Sequence, residues 1–575
     1  MEQLRMFLAI ALSFLVFFIW NIFFVEKKMP DDQLQKQERG LNQPQDKKTG
    51  QPPGRKSGDE QTAAAGDVRT FDGQPENRVG RTGENSAAAL PAPERQTART
   101  FTIHTRLYTV KVSENRAAFT SFVLNNYREH NQPDSPLKQL ISDENRKGTY
   151  LVDFEENEVS GLSDAVFTCT HASETTDVTD APRELVFNWR SKDGVTIVKS
   201  YTFHPDSYII DFNVSVKNEG DYPLQNNFSV SLLKKMEEAK NSQYGFTGPS
   251  GLINGQLQEV EVDDIEDDGR HEGTVTWVAV QGRYFMSSLI PTSEKDAAMK
   301  LFVDSEQVVE ARYSKPIKPI HPGTERGFNY EIFMGPKSIE ILQAANSELE
   351  KALSFGWFDF ISKPCLKLMN FLYGIIPNYG VDIIILTILI KILFWPLGNK
   401  SYKSMNEMKR LQPLMADIRE KYKDDKKRMN EEVMKLYKTY KINPLGGCLP
   451  MVAQIPVFIA FYQMLYGAIE LRHAPFFGWI TDLSAPDRLF DFGVSIPLME
   501  PPYGIPVLTI IMGATMFIQQ KLQPPAGDPT QAKMMMMMPI VFTVIFINFS
   551  SGLVLYWLVN NILSIAQQYY VYRKN

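Results

Sequence analysis

Five apolar stretches crowd the last third of the chain, and they restrict its fold more than any other feature. They run over about residues 380–397, 446–469, 503–520, 534–549 and 552–570. Most approach the roughly 20 residues with which a helix crosses a ~30 Å hydrocarbon core. Backbone polar groups find no water in that core, so such segments must be helices. The fourth stretch is short, and a tight turn at Ser550-Ser551-Gly552 is expected to join it to the fifth. Another uncharged run covers residues 6–25 and ends in Ile22, Phe23, Phe24 and Val25. That is longer and bulkier than the apolar region of a cleaved signal peptide, so residues 1–25 are read as an uncleaved anchor, with a secretory signal as the alternative. The expected fold is a multi-pass α-helical membrane protein with six spans, carrying a large domain of antiparallel β-structure.

The β-domain is read from a change of period. Residues 26–99 are rich in Gly, Pro, Gln and charge, bury little and form a tether. From residue 100 to about 338 the pattern has period two: Ile210, Phe212, Val214 and Val216 alternate with Asp211, Asn213, Ser215 and Lys217. Strands with one polar face, separated by turns such as Lys192-Asp-Gly194, predict an antiparallel β-sandwich. Residues 339–379 mix Trp357, Phe360 and Phe371 with Lys363 and Lys367, which suits a linker and an interfacial helix. Residues 380–575 form the helical core, and residues 398–443 a helical hairpin within it.

Charge sets the orientation. Residues 398–443 carry thirteen lysines and arginines and fewer acids, whereas residues 470–502 are acidic on balance. The positive-inside rule puts the first loop in the cytosol and the second outside. The β-domain then lies outside and both termini inside. Met405, Met408, Gln412, Met415, Ile418 and Tyr422 in one half of the basic loop, mostly apolar, and Met429, Val433, Leu436 and Tyr440 in the other, predict an antiparallel helical hairpin with a thin apolar seam. Pro413 is expected to kink its first helix. Such a basic hairpin either binds anionic lipid or ribosomal RNA and protein, or merely fixes topology.

Several function classes are excluded. A net charge of −6 rules out a nucleic-acid binder by composition, so no DNA partner is expected. Cys169, Cys365 and Cys448 lie far apart, without a CxxC pair. There is no HExxH, GxSxG or phosphate-binding glycine loop. Asp264-x-Glu266-x-Asp268-Gly269 starts like a calcium loop, but Val275 stands where a bidentate Glu is needed. No enzyme activity, cofactor or metal is expected.

One residue breaks the apolar pattern. In ILIKILFWPL, residues 388–397, Lys391 interrupts a run fit for lipid. A lysine at the centre of a span costs roughly 2.5–3.5 kcal/mol. It stands six residues from Leu397, so it either snorkels to the interface or serves as a cation facing the bundle interior.

Taken together, these segments resemble a known family. Lys391 with Pro396-Leu397, MKRLQPLMADIREKYKDD, YKINPLGGCLPMVAQIPVFIAFYQML, ELRHAPFFGWITDLSAPD and FSSGLVLYWLVNN are similar to the YidC-type membrane protein insertases, over about residue 355 to residue 575. The resemblance implies the Gram-negative, inner-membrane type, with a periplasmic β-supersandwich. It implies insertion and folding of nascent membrane proteins through a hydrophilic groove, alone or with the Sec translocon, with ribosome and targeting factors met by the cytosolic hairpin. The implied groove residues are Lys391, Thr387, Gln454, Gln520, Tyr556 and Trp557, and Met534, Met535, Met536, Met537 and Met538 form a slide into lipid. Lys391 stands where the family usually has arginine. A transporter for an anionic solute and a non-enzymatic envelope scaffold are the other classes open to such a chain.

Overall fold

The structure, a computed structural model, describes residues 98–142, 148–155, 159–225, 227–236, 246–293, 295–440, 449–523 and 529–574. The expected anchor and nearly all of the tether lie outside the described residues.

The β-domain begins with β1 (Thr100–Thr105), β2 (Tyr108–Ser113), β3 (Ala118–Arg128), β4 (Leu137–Ile141), β5 (Leu151–Glu155), β6 (Thr168–Cys169), β7 (Thr175–Val178), β8 (Arg183–Arg190) and β9 (Val195–Phe203). It continues with β10 (Ile209–Asn218), β11 (Asn227–Lys235), β12 (Gly248–Ile253), β13 (Gln256–Glu259), β14 (Arg270–Gln281), β15 (Phe285–Pro291), β16 (Asp296–Val303), β17 (Val308–Pro316) and β18 (Glu325–Pro336). A small sheet runs β4-β3-β2-β1-β7, where β7 joins β1 in parallel. The large one runs β5-β11-β17-β16-β14-β15-β18-β10-β9-β8-β6, antiparallel throughout, with β12 and β13 branching from β14.

Strand β14 turns the corner between two layers. Its Arg270–Thr274 half pairs with β16, and its Val278–Gln281 half pairs with β15. The layers then face each other: Phe228 of β11 stacks on Phe328 of β18 at 4.0 Å, and Tyr313 of β17 meets Tyr330 edge-on at 5.8 Å. The expected alternation is present in β10, where Ile210, Phe212, Val214 and Val216 are buried and their neighbours are not. Each such side chain contributes on the order of 1.5–3 kcal/mol by leaving water.

One core residue is a lysine. Lys199 of β9 is fully buried, and its Nζ donates to the carbonyls of Arg116 (3.0 Å), Ala117 (3.1 Å) and Tyr150 (3.0 Å). All three acceptors belong to residues with positive φ, at 57°, 45° and 61°. Carbonyls turned inward by left-handed backbone cannot join a ladder, and the ammonium supplies their donors, joined at Ala117 by the Tyr201 hydroxyl at 2.8 Å.

The helical part comprises α1 (Asp359–Tyr373), α2 (Tyr379–Leu393), α3 (Trp395–Arg410), α4 (Gln412–Lys421), α5 (Lys426–Thr439), α6 (Leu449–Gly467), α7 (Val507–Leu522), α8 (Pro529–Ile545) and α9 (Ser551–Lys574). Among the described residues no single helix is long and apolar enough to cross a membrane, whereas α2 and α3, bent by 65° at Phe394, pass together. The physical reason lies in length and composition. Helix α2 has 15 residues, about 22 Å of rise, and polar side chains interrupt α9. The expected kink at Pro413 is a full break: α3 ends at Arg410, and Pro413 lies in the first turn of α4, where a missing N–H costs nothing. Across the hairpin the Tyr437 hydroxyl lies 3.4 Å from the Met415 sulfur, whereas Tyr440, expected in the seam, is exposed. Helices α8 and α9 are joined through residues 546–550, while Ser551 and Gly552 already belong to α9 and donate their N–H groups to the carbonyls of Ala485 and Leu483 in the segment between α6 and α7. Helices α7 and α8 approach closely at Gly513, where an added Cβ would lie 2.1 Å from the Thr543 hydroxyl oxygen.

Candidate functional site: a lysine and an amide-rich helix

Asn378 accepts the N–H of Val381 and so starts α2, whose apolar residues carry it to Lys391 in the last turn. Lys391 turns inward rather than along the surface. It is 6 % exposed, and its Nζ donates to Ser564 Oγ at 2.6 Å and Asn560 Oδ1 at 3.4 Å, both on α9. Ser564 in turn donates to the Asn560 carbonyl at 2.6 Å.

Helix α9 holds more of this polar layer. Asn560, Asn561, Ser564, Gln567 and Gln568 recur at spacings of three and four, which places them along one side of a helix. Gln567 Nε2 donates to the Trp395 carbonyl and to Asn399 Oδ1, each at 3.0 Å, beside the α2–α3 bend. Gln568 donates to the Leu522 carbonyl at the end of α7, and Asn561 to Thr515 within α7. Thus α9 ties α2 and α3 to α7 through amides. Sequence reasoning missed these residues. Their signal was there, as polar side chains at helical spacing in an otherwise apolar segment.

The other expected site residues divide into separate groups. Thr387 is buried one turn from Lys391, and its hydroxyl donates to the Ile383 carbonyl of its own helix at 2.6 Å. Gln454 on α6 and Gln520 on α7 are half-buried, and among the described residues neither bonds to Lys391. Tyr556 and Trp557 belong to an aromatic cluster. Tyr556 stacks on Phe461 at 4.8 Å, while Trp557 meets Phe458 edge-on at 4.7 Å and Phe546 at 5.0 Å. Eight residues separate Tyr556 from Ser564, about 12 Å along α9. Met534, Met536 and Met537 are exposed on α8, while Met535 and Met538 are half-buried.

The β-domain docks on the far end of α6. Arg283 donates to the Tyr466 carbonyl at 2.9 and 2.6 Å and lies over the Tyr466 ring. Arg472 donates to the Glu129 carbonyl at 2.9 Å, and Asn131 to that of Thr481 at 2.7 Å. The segment between α6 and α7 is therefore on the β-domain side, away from the basic helices.

A helical bundle with apolar outer faces, an inward cation and a docked β-sandwich defines a membrane-associated protein. Two family models match it: that of the 60Kd inner membrane protein over residues 371–575, and that of the YidC periplasmic domain over residues 100–368. A membrane protein insertase YidC from Syntrophus aciditrophicus is 43% identical over 491 residues, covering 84% of this chain and 87% of its own. Another from Pelobacter propionicus is 38% identical over 571 residues, covering 99% and 98%. A solved structure described as an active YidC insertase is 17% identical with a TM-score of 0.37, covering 83% of this chain and 93% of that one, too loose a likeness to add weight. The chain belongs to the YidC family of membrane protein insertases.

Proposed function

We propose that this protein takes nascent inner-membrane proteins from water into lipid along the polar layer between α2, α7 and α9. The observation that carries the reading is the bonding of Lys391. Its ammonium has three donors, and two of them meet neutral groups, Ser564 and Asn560. Among the described residues no carboxylate pairs with it. A buried cation held by neutral groups keeps its attraction for an acid that arrives later, which suits the transient capture of an acidic outer tail. The apolar helix of the substrate then leaves past Tyr556 and Trp557 along Met534–Met538. Burial of its apolar surface in lipid drives the transfer, so no nucleotide is required. Thr387, Gln454 and Gln520 supply further polar groups along the path.

In this reading the chain has six spans, with both termini cytosolic and the β-domain periplasmic. The bent α2–α3 pair supplies one span, and α1 with the turn before it lies in the headgroup region, Phe360 and Trp357 outward. The basic α4–α5 hairpin meets the ribosome and targeting factors, and the protein works alone or beside the Sec translocon. Photocrosslinkers at Lys391 and Tyr556 test this on ribosome-stalled chains. Adducts to the substrate's tail from position 391 and to its apolar segment from position 556 are expected. No adduct at either position in an insertion-competent preparation would sink the proposed path.

A further inference from the structure

The segment between α6 and α7 contains a loop that displays large apolar side chains to the outside. Phe490 is 68% exposed, Phe492 51%, Val494 66% and Leu498 79%. This is not a slack connection. Arg488 donates from Nε to the Pro502 carbonyl at 2.9 Å and from NH1 to those of Asp487 and Ile547, both at 2.8 Å. Its NH2 reaches Asn548 Oδ1 at 3.2 Å. Asn548 Nδ2 donates to the Leu498 carbonyl at 3.0 Å, and its Oδ1 accepts from the Glu500 N–H at 2.9 Å. Asp491 accepts from the N–H groups of Gly493 and Tyr503. Leu489 and Ile505 exchange both backbone bonds. The loop is thus stapled on itself and onto the residues that follow α8.

Two of the four displayed residues occupy left-handed backbone, Phe490 at φ 63° and Leu498 at φ 66°. Glycine or asparagine would fit there more easily than a bulky apolar residue. The chain accepts this strain and still holds these side chains outward, which points to use rather than neglect.

The surface around the loop says what covers it. The loop runs into α7, which exposes Ile510 and Ile511, and it is stapled beside the end of α8, which exposes Val544 and Ile545. The apolar face that these helices present to lipid continues into the loop. Arg488 is the one cation among residues 487–506, and each of its three nitrogens donates to the loop or to the residues after α8, so no charged handle remains for an acidic partner. We infer that this stapled loop is an outer-leaflet anchor: Phe490, Phe492, Val494 and Leu498 insert among the upper acyl chains and hold the outer ends of α7 and α8 at a set depth.

The inference rests on the membrane location of the family and not on the role of Lys391. The test uses the full chain in nanodiscs of phosphatidylethanolamine and phosphatidylglycerol, with a nitroxide on Val494→Cys. A label on Ile540→Cys reports the lipid face of α8, one on Tyr222→Cys reports water, and labelling of the unsubstituted chain gives the background of the native cysteines. Expected at position 494 is oxygen access exceeding that of a nickel chelate, unchanged by a stalled nascent chain. Phe490→Asn with Leu498→Asn should move that label toward nickel access with no loss of thermal stability, because asparagine tolerates the left-handed backbone. A nickel-accessible label at 494 beside a lipid-exposed one at 540 overturns the anchor alone, whereas nickel access at both overturns the membrane reading as well. Shielding at 494 that arises only with a nascent chain, or only in a second copy's presence, overturns the lipid assignment in favour of a protein partner.

Discussion

Replacing Lys391 with methionine keeps the length of the side chain and removes its charge. A substrate carboxylate about 6 Å from the ammonium, at an effective dielectric constant of about 20, gains about 3 kcal/mol. An aspartate near the bilayer centre costs roughly 2.5–3.5 kcal/mol. The lysine thus offsets about one acidic residue in a translocated tail, and its loss should slow insertion of a one-acid tail by about 100-fold. A neutral tail should insert at an unchanged rate. Lys391→Arg should stay within a few-fold of the native rate if only a point charge matters. The fold should survive, because Ser564 already donates to the Asn560 carbonyl and keeps a partner once the amine is gone. The assay is time-resolved protease protection of substrates that differ only in tail charge, in vesicles holding the purified protein, with thermal unfolding as the control. Equal rates for native and Lys391→Met protein on the acidic tail, or equal slowing on the neutral one, would refute the electrostatic reasoning.

Three further outcomes follow from the fold. Burial holds the Lys199 amine well below its ordinary value, so between that lowered value and about 10.4 the unfolded chain binds more protons. Native stability should rise with pH through that window, and Lys199→Met should remove this part of the slope in urea titrations. Burial alone would raise the Glu155 carboxyl, but bonds from Lys300 (2.6 Å), Ser314 (2.9 Å) and Asn227 (3.2 Å) outweigh it and hold the group below its usual range. Its stabilisation is present above the unfolded value of about 4.3 and lost as pH falls through the folded one. Glu155→Gln should therefore cost about 1–3 kcal/mol at pH 7, a gap that closes in acid-unfolding curves. Gly513→Ala drives a methyl group into Thr543 and should destabilise the α7–α8 pair by about 1–3 kcal/mol, with partial recovery in Gly513→Ala combined with Thr543→Gly, read from thermal unfolding in detergent.

Some of this architecture was legible along the chain and some was not. Period two in residues 210–216 is a local property, because alternate side chains of any strand point to opposite faces, and β10 follows it. The break between the fourth and fifth apolar stretches and the helices of the basic hairpin were local in the same sense. Lys391 stood out because a charge in an apolar run is expensive wherever it ends up. The expected spans were less faithful: composition marks an apolar stretch but not where its helix breaks, and the first stretch breaks at Phe394. What Lys391 touches is a different kind of question, since its partners lie 169 and 173 residues away on α9. The docking of Arg283 on Tyr466 spans 183 residues, and the staples of Arg488 onto Ile547 and Asn548 span about 60. Periodicity, turn chemistry and charge bias act between near neighbours, so the sequence by itself determined the kinds of element, their order and the residues that could not be idle. Which faces meet depends on packing the whole chain at once, and only the tertiary structure decided that the lysine turns to a layer of amides and that the outer loop is stapled with its apolar side chains outward.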